Sequence, residues 1–339
     1  ESLFVSVAAG GSGAGMVGAG GSVGIVTMVT NTVASIGDDD GDTIGATVTT
    51  NGNVFVNAYD KANVVLVTGA IGIGVGGGGF GASVGVLVDV RKTYAIIAPY
   101  SQVTANGLGA SINDKVYTKD MGSDGSFSTF PQAKGVIVQA YASDVVTTVV
   151  FAGAGGLYGG LAGAVLVDVF QSDAVAKIGE HATVTSGGDV FVNALNYTKI
   201  FNFAGTLSGG AGAVSGSVAV NVVRNNAKAI IGQAAKITAI DQVQVAALSN
   251  KDTTTVSASL SGGGVGIGVS LLVNVIGGEF STQFETEYSE TERDENGELK
   301  TGTTHSETIS VDALGDEDET GDQKVIGVVD ETNDNYGQI

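Results

Sequence analysis

LSGGAGAVSGSVAVNVVRNNAKAII, residues 207–231, carries a glycine-alanine block straight into alternating valines. The pattern occurs in five copies: GGSVGIVTMVTNTVASI (20–36), GASVGVLVDVRKTYAII (81–97), LAGAVLVDVFQSDAVAKI (161–178), SGSVAVNVVRNNAKAII (215–231) and IGVSLLVNVIGGEF (267–280). Self-similarity at a fixed spacing is the mark of a stacked repeat architecture. Taking Met28, Asp89, Asp168, Asn221 and Asn274 as equivalent gives spacings of 61, 79, 53 and 53, so the basic coil is about 53 residues. A second anchor recurs as VFVNAY (54–59), VIVQAY (136–141), VFVNAL (190–195), VQVAAL (243–248) and ISVDAL (309–314).

The two anchors locate the insertions. From second anchor to the next first anchor the gaps are 33, 30, 29 and 29, whereas the complementary gaps are 28, 49, 24, 24 and 37. Sizeable insertions therefore fall in one half of the coil, which in a stacked array is one edge of the molecule. Within a coil the apolar period is two, as in strands. In residues 218–222 and 86–90 the valines share one face, expected to be the core, and the Asp or Asn points the other way. The glycine runs at 69–81, 209–216 and 262–268 would let two sheets approach more closely than the usual ~10 Å. The expected fold is all-β: a parallel β-solenoid, flattened into a roll, of about five coils over residues 1–278. An antiparallel β-sandwich of the same strands is the alternative.

Composition supports this reading. Fifty-four glycines, two prolines, no tryptophan and 43% hydrophobic residues fit neither disorder nor collagen. No window holds the ~18 uninterrupted apolar residues of a membrane-spanning helix, so no membrane insertion is expected. Cysteine is absent, which leaves neither disulfides nor thiolate metal sites. The net charge of −20 argues against nucleic acid or anionic lipid as partner. The charge is uneven: residues 1–278 hold 17 acidic and 12 basic residues, 279–339 hold 18 and 3.

Outside the repeats, residues 279–310 read as an acidic β-hairpin with a type I′ turn at Asn296-Gly297, and 311–339 as a final coil strand followed by an acidic segment. Residues 1–10 already lie within a repeat, with Leu3 placed against Val64 when Ser22 is set against Ser83. The chain reads as a segment of something longer or a processed subunit. Neither end carries a convincing cap, so the partner expected first is another copy of the chain, or neighbouring coils of a longer one.

VAVNVVRNNAKAIIGQAAKITA (218–239) and DAVAKIGEHATVTSGGDVFVNAL (173–195) resemble the repeats of very large bacterial surface and secreted proteins: β-solenoid adhesins of the two-partner-secretion type, and leukotoxin-like proteins with glycine-rich blocks. The resemblance covers residues 1–278 and resumes at 309–314. It implies a parallel solenoid, export to the cell surface or beyond, adhesion or matrix building, and no catalytic residues in the repeats.

Candidate sites are few. His181 and His305 are the only histidines and no nucleophile motif accompanies them, so no enzyme is expected. Calcium would suit the carboxylate clusters Asp38, Asp39, Asp40 and Asp42; Asp294, Glu295 and Glu298; and Asp316, Glu317, Asp318 and Glu319. A solvated acidic surface is the alternative for each. The column Asp89–Asp168–Asn221–Asn274, expected at a spacing of about 4.8 Å on a solvated face, is a further cation candidate. Tyr117, Phe127 and Phe130, in the insertion 106–134, are candidates to line a carbohydrate- or other ligand-binding groove. Two functions remain open: a structural or adhesive module, filament-forming or touching a host or matrix surface with its edge loops at 37–45, 106–134 and 279–310, and a ligand-binding module.

Overall fold

Strand alternation in the sequence becomes two long walls in the fold. The computed structural model describes residues 1–38, 43–113, 116–122 and 125–277 in full, and 280–290 and 303–312 as backbone strands. One wall stacks β1 (Ser2–Ala14), β4 (Val54–Gly74), β9 (Gly135–Gly156) and the first halves of β12 (Asp189–Ile231) and β14 (Val243–Gly277). The other stacks β2 (Gly18–Ile36), β5 (Gly78–Ile97), β10 (Gly159–Ile178) and the second halves of β12 and β14. A short third side stacks β3 (Thr47–Thr50), β6 (Gln102–Ala105), β11 (Thr183–Ser186) and β13 (Lys236–Ala239). All these pairings are parallel, and no helix occurs among the described residues. Over the described residues the chain is a flattened parallel β-solenoid of five coils, and the sandwich alternative falls.

The interior tapers. Beside the short side, Val56, Val138, Val103, Val184, Ala95 and Ile178 fill a triangular apolar core. Towards the middle Leu66, Leu87, Val146, Phe170 and Val223 pack between the walls. At the far edge the walls meet backbone to backbone. A Cβ added to Gly81 would collide with the carbonyl oxygen of Gly153, one on Gly20 with that of Ile71, and one on Gly72 with that of Phe80, each across the two walls. The expectation of unusually close sheets holds, and glycine is required there because any side chain would wedge the walls apart.

That taper also decides which face is inside. Gly81, Ser83, Gly85, Leu87, Asp89, Arg91 and Thr93 point inward, while Val84, Val86, Val88 and Val90 point outward and are only partly covered. The expected orientation is therefore inverted: the valine rows are the outer face, and Asp89, Asp168 and Asn221 are each at most 1% exposed. A glycine at the closest approach must share its parity with the buried residues, and two residues of strand return to the same face.

Two registers also differ from expectation. Asp168 lies beside Leu87, and Asp89 beside Phe170, so the Asp89–Asp168 column does not form; Asp168–Asn221–Asn274 does. Leu3 pairs with Asn63, because Ser2 sits against Ala62 while Ser22 sits against Ser83. Corner length sets both: the first coil's glycine corner is one residue shorter than the second's, and the second's is one residue longer than the third's, where an Asp89–Asp168 pairing would need three. From Val56 to Leu87 is 31 residues, but from the equivalent Val138 to Asp168 is 30, and from Val192 to Asn221 only 29.

The insertions enter on the short side, one between β2 and β3 and one between β6 and β9, where β7 (Tyr117–Met121) and β8 (Phe127–Thr129) form a small antiparallel pair. Further on, β15 (Phe280–Glu290) continues the second wall along residues 227–230 and pairs antiparallel with β16 (Thr303–Asp312). The hairpin expected at 279–310 is present, but Ile309 pairs with Phe284 instead of starting another coil, so the repeat does not resume there. The Asn296-Gly297 turn lies outside the described residues.

Glycine placement gives a direct test. Gly81→Ala should lower stability by about 1–3 kcal/mol or more in chemical denaturation, whereas Gly163→Ala, whose added methyl meets open space, should change it by less than about 0.5 kcal/mol.

Candidate functional site

The densest polar chemistry lies inside, in a seam between the triangular core and the mid-wall core. On β5 the inward parity that places Leu87 in the core also places Asp89 and Arg91 there. Arg91 Nε lies 3.1 Å from Asp89 Oδ2 and 3.0 Å from Asp144 Oδ1, and Nη1 lies 3.4 Å from Asp60 Oδ2. One guanidinium thus serves three carboxylates contributed by β4, β5 and β9. Arg91 is 1% exposed, a burial tolerated only with paired charge around it.

The seam continues along the axis. Ser172 Oγ donates to Asp144 Oδ2 at 3.2 Å, and Asn196 Nδ2 donates to Ser172 Oγ and to its carbonyl, each at 3.0 Å. Asn225 then donates to Asn196 Oδ1 at 3.3 Å and to Thr198 Oγ1. The chemistry changes from ionic in the second and third coils to amide and hydroxyl in the fourth. Nearer the glycine edge the fourth and fifth coils are joined by serine hydroxyls, with Ser217 Oγ 2.9 Å from Ser257 Oγ and 3.1 Å from both Ser259 Oγ and Ser270 Oγ.

Burial sets the protonation of this seam. Removal from water pushes the Asp144 carboxyl up to about 8, with the neighbouring Asp89 and Asp60 charges adding to the rise and Arg91 opposing it. Asp168, which accepts from Thr148 Oγ1 at 2.8 Å, is raised to about 7 by burial, its hydrogen bonds opposing. Asp89 is raised by the same cause, and Arg91, despite its burial, is held protonated by its three partners. The position of Asp168 is occupied by Asn221 and then Asn274 in the next two coils, which are permanent neutral analogues of a protonated aspartic acid.

A closed interior is not a catalytic cleft. Asp60, Asp89, Asp144 and Asp168 are all under 10% exposed and point between the walls, so substrate has no access to them. With Asp89 and Asp168 expected on the outer face, this seam is hidden in the sequence. The usable signal was parity, since both share their strand face with glycine, serine and alanine and not with valine.

The aromatic candidates are turned onto the solenoid. Tyr117 is 6% exposed and stacks on Tyr141 with ring centroids 4.9 Å apart, and Tyr141 stacks on Tyr59 at 5.0 Å. In the stacked coils Tyr59 and Tyr141 are followed by Leu195, so Tyr117 from the insertion supplies the third ring of the column. Asn193 Nδ2 donates to the Tyr117 carbonyl at 2.6 Å, and the Tyr117 amide donates to Gln139 Oε1 at 2.9 Å. Phe127 packs edge-on to Tyr117, and Phe130 against Phe191 at 5.8 Å. Phe127 and Phe130 stay part-exposed, but these rings fasten the insertion to the wall instead of lining an open groove.

Of the acidic clusters, Asp38 is exposed; Asp39, Asp40, Asp42, Asp294, Glu295, Glu298, Asp316, Glu317, Asp318 and Glu319 lie outside the described residues, as does His305's side chain. His181 stacks on Tyr100 at 4.9 Å at a solenoid corner, where both residues have left-handed φ (55° and 57°). Among the described residues no group of three or more His, Cys, Asp or Glu side chains is arranged to hold a metal. No family model, curated protein or solved structure matches the chain.

The seam makes a signed prediction. A carboxyl whose folded pKa is raised contributes stability that is full below its unfolded pKa near 4 and is lost as pH climbs through the folded value. For Asp168 and Asp144 the window runs from about pH 4 to about pH 7 and 8. The melting temperature should therefore fall from pH 5 to pH 8, and Asp168→Asn should remove part of that slope and stabilise the protein at pH 8, on the order of a few kcal/mol. Arg91→Met should instead destabilise by about 3–5 kcal/mol at neutral pH, because it strands buried carboxylates.

Proposed function

We propose that the chain is a structural and adhesive module of an extracellular or cell-surface bacterial protein, which self-associates end to end through its outer coils. The observation that carries this reading is the uniform parallel stack with strand edges open at both ends among the described residues: β1 pairs with β4 alone, β2 with β5 alone and β14 with β12 alone. A parallel coil presents at each end the ladder that the next coil would use, so one copy fits onto another by the contact that already joins coils within the chain. The sealed interior favours a scaffold over an enzyme, and the rigid wall offers length and a mount for insertions that would meet host or matrix surfaces. Calcium at the acidic segments would be an accessory to that role.

Dilution-series electron microscopy and sedimentation velocity test the proposal. Filaments that lengthen with protein concentration are expected, and dispersed single particles throughout the range would sink end-to-end assembly. Millimolar calcium is expected to raise the melting temperature if it binds; an unchanged melt removes it from the reading.

A further inference from the structure

The outer face of the second wall is an uncharged lattice. Its central row, Ile25–Val86–Val167–Val220–Val273, is β-branched in every coil, held in register by the parallel ladders. The row beside it, from Thr27 to Val275, is β-branched throughout as well. Val165 is 37% exposed, Val169 36% and Val214 44%, large values for side chains on strands paired along both edges. No Asp, Glu, Lys or Arg occurs in the wall segments 18–36, 78–88, 159–167, 212–223 or 265–277. Charge resumes only further along the same face, at Lys92, Asp173 and Arg224.

The size of this face says what fits it. Five strands at ~4.8 Å spacing, each with five outward positions at ~6.7 Å, make about 800 Å². Patches on monomers are typically 300–600 Å², and one side of a standard stable interface is about 800 Å². The second wall gathers its outward small residues into one row, Gly21–Ala82–Gly163–Gly216, whereas the opposite wall spreads Gly69, Gly153 and Gly205 over two rows, among the phenylalanines Phe151, Phe201 and Phe203.

We infer that the valine face of the second wall is a lateral interface with a second copy of the same chain, packed sheet on sheet. Flat ridges of β-branched residues are self-complementary, aligned sheets pack face to face at about 10 Å, and the absence of charge removes the like-charge repulsion that otherwise opposes pairing in a chain of net charge −20. The polar strip at Lys92, Asp173 and Arg224 would form the rim. This contact is on a wall and not at a coil end, so it is independent of end-to-end stacking. A hydrocarbon phase is a poorer occupant, because the terminal strands would bring unpaired backbone groups into it.

The test uses the full chain in sedimentation equilibrium over a concentration series, with the variant Val86→Lys/Val167→Lys/Val220→Lys, whose outward lysines leave the interior untouched. The wild type should show a side-by-side dimer insensitive to salt, and the variant, with unchanged circular dichroism and melting, should weaken it at least about 100-fold. A wild type that stays monomeric, an association that the lysines leave intact, or growth by end stacking alone each overturns the proposal. Should the triple variant fail to fold, nitroxide labels at Val167→Cys and, on the opposite wall, Thr147→Cys decide the matter in a chain with no other cysteine. Dipolar broadening at 167 and not at 147 supports the lateral contact; broadening at neither, or at 147 alone, overturns it. Binding of the monomer to neutral phosphatidylcholine vesicles without self-association would overturn it in favour of lipid.

Discussion

The structure depends on the contact of two β-walls through bare backbone at the glycine edge. Face-to-face sheets normally stand about 10 Å apart because side chains hold them there. Here Gly20, Gly72 and Gly81 leave no side chain to do so in the first two coils, and their stacked equivalents Ala154, Ala162, Ser208 and Ser215 carry only small ones. Glycine weakens a lone strand, but each inner strand is held on both edges by the coils before and after it. The stack thus supplies the order that glycine withholds, and in return glycine lets the stack close.

Closing at one edge forces a wedge-shaped interior, and the polar seam occupies the middle of that wedge. Where the walls are far apart, valine, alanine and isoleucine fill a triangle with the short third side. Between this and the glycine edge Asp60, Asp89 and Asp144 gather round Arg91, and the fourth coil puts Asn196, Thr198 and Asn225 in the same track. The substitution of ionic by amide chemistry from one coil to the next follows from desolvation. A buried charge demands a partner in the same or the adjacent coil, whereas a buried amide needs only hydrogen bonds. The exclusion of side chains from the glycine edge has a converse on the outside, where valine rows face outward and the described part of the insertion 106–134 packs on the part of the first wall that carries Tyr141, Phe191 and Leu195.

Much was legible from the residues alone. Five copies of a glycine-valine block determined the number of coils, the two anchors located the insertions on one side, and the alternation at 280–290 and 303–309 marked a hairpin. What the sequence left undecided was the side of each strand that faces inward. A period of two is symmetric, so the valine face and the aspartate face of residues 81–91 are equally regular, and hydrophobicity by itself selects the wrong one. The tertiary structure decided it through steric closeness: Gly81 and Gly85 must face the opposite wall, and Asp89 and Arg91 follow by parity. It also decided the register between the second and third coils: Asp168 would meet Asp89 only if the second coil's glycine corner were three residues longer than the third's, and it is one residue longer, so Asp168 meets Leu87. Repetition is written locally and determines the coil, whereas facing and register are properties of two walls in contact and exist only once the chain has closed on itself.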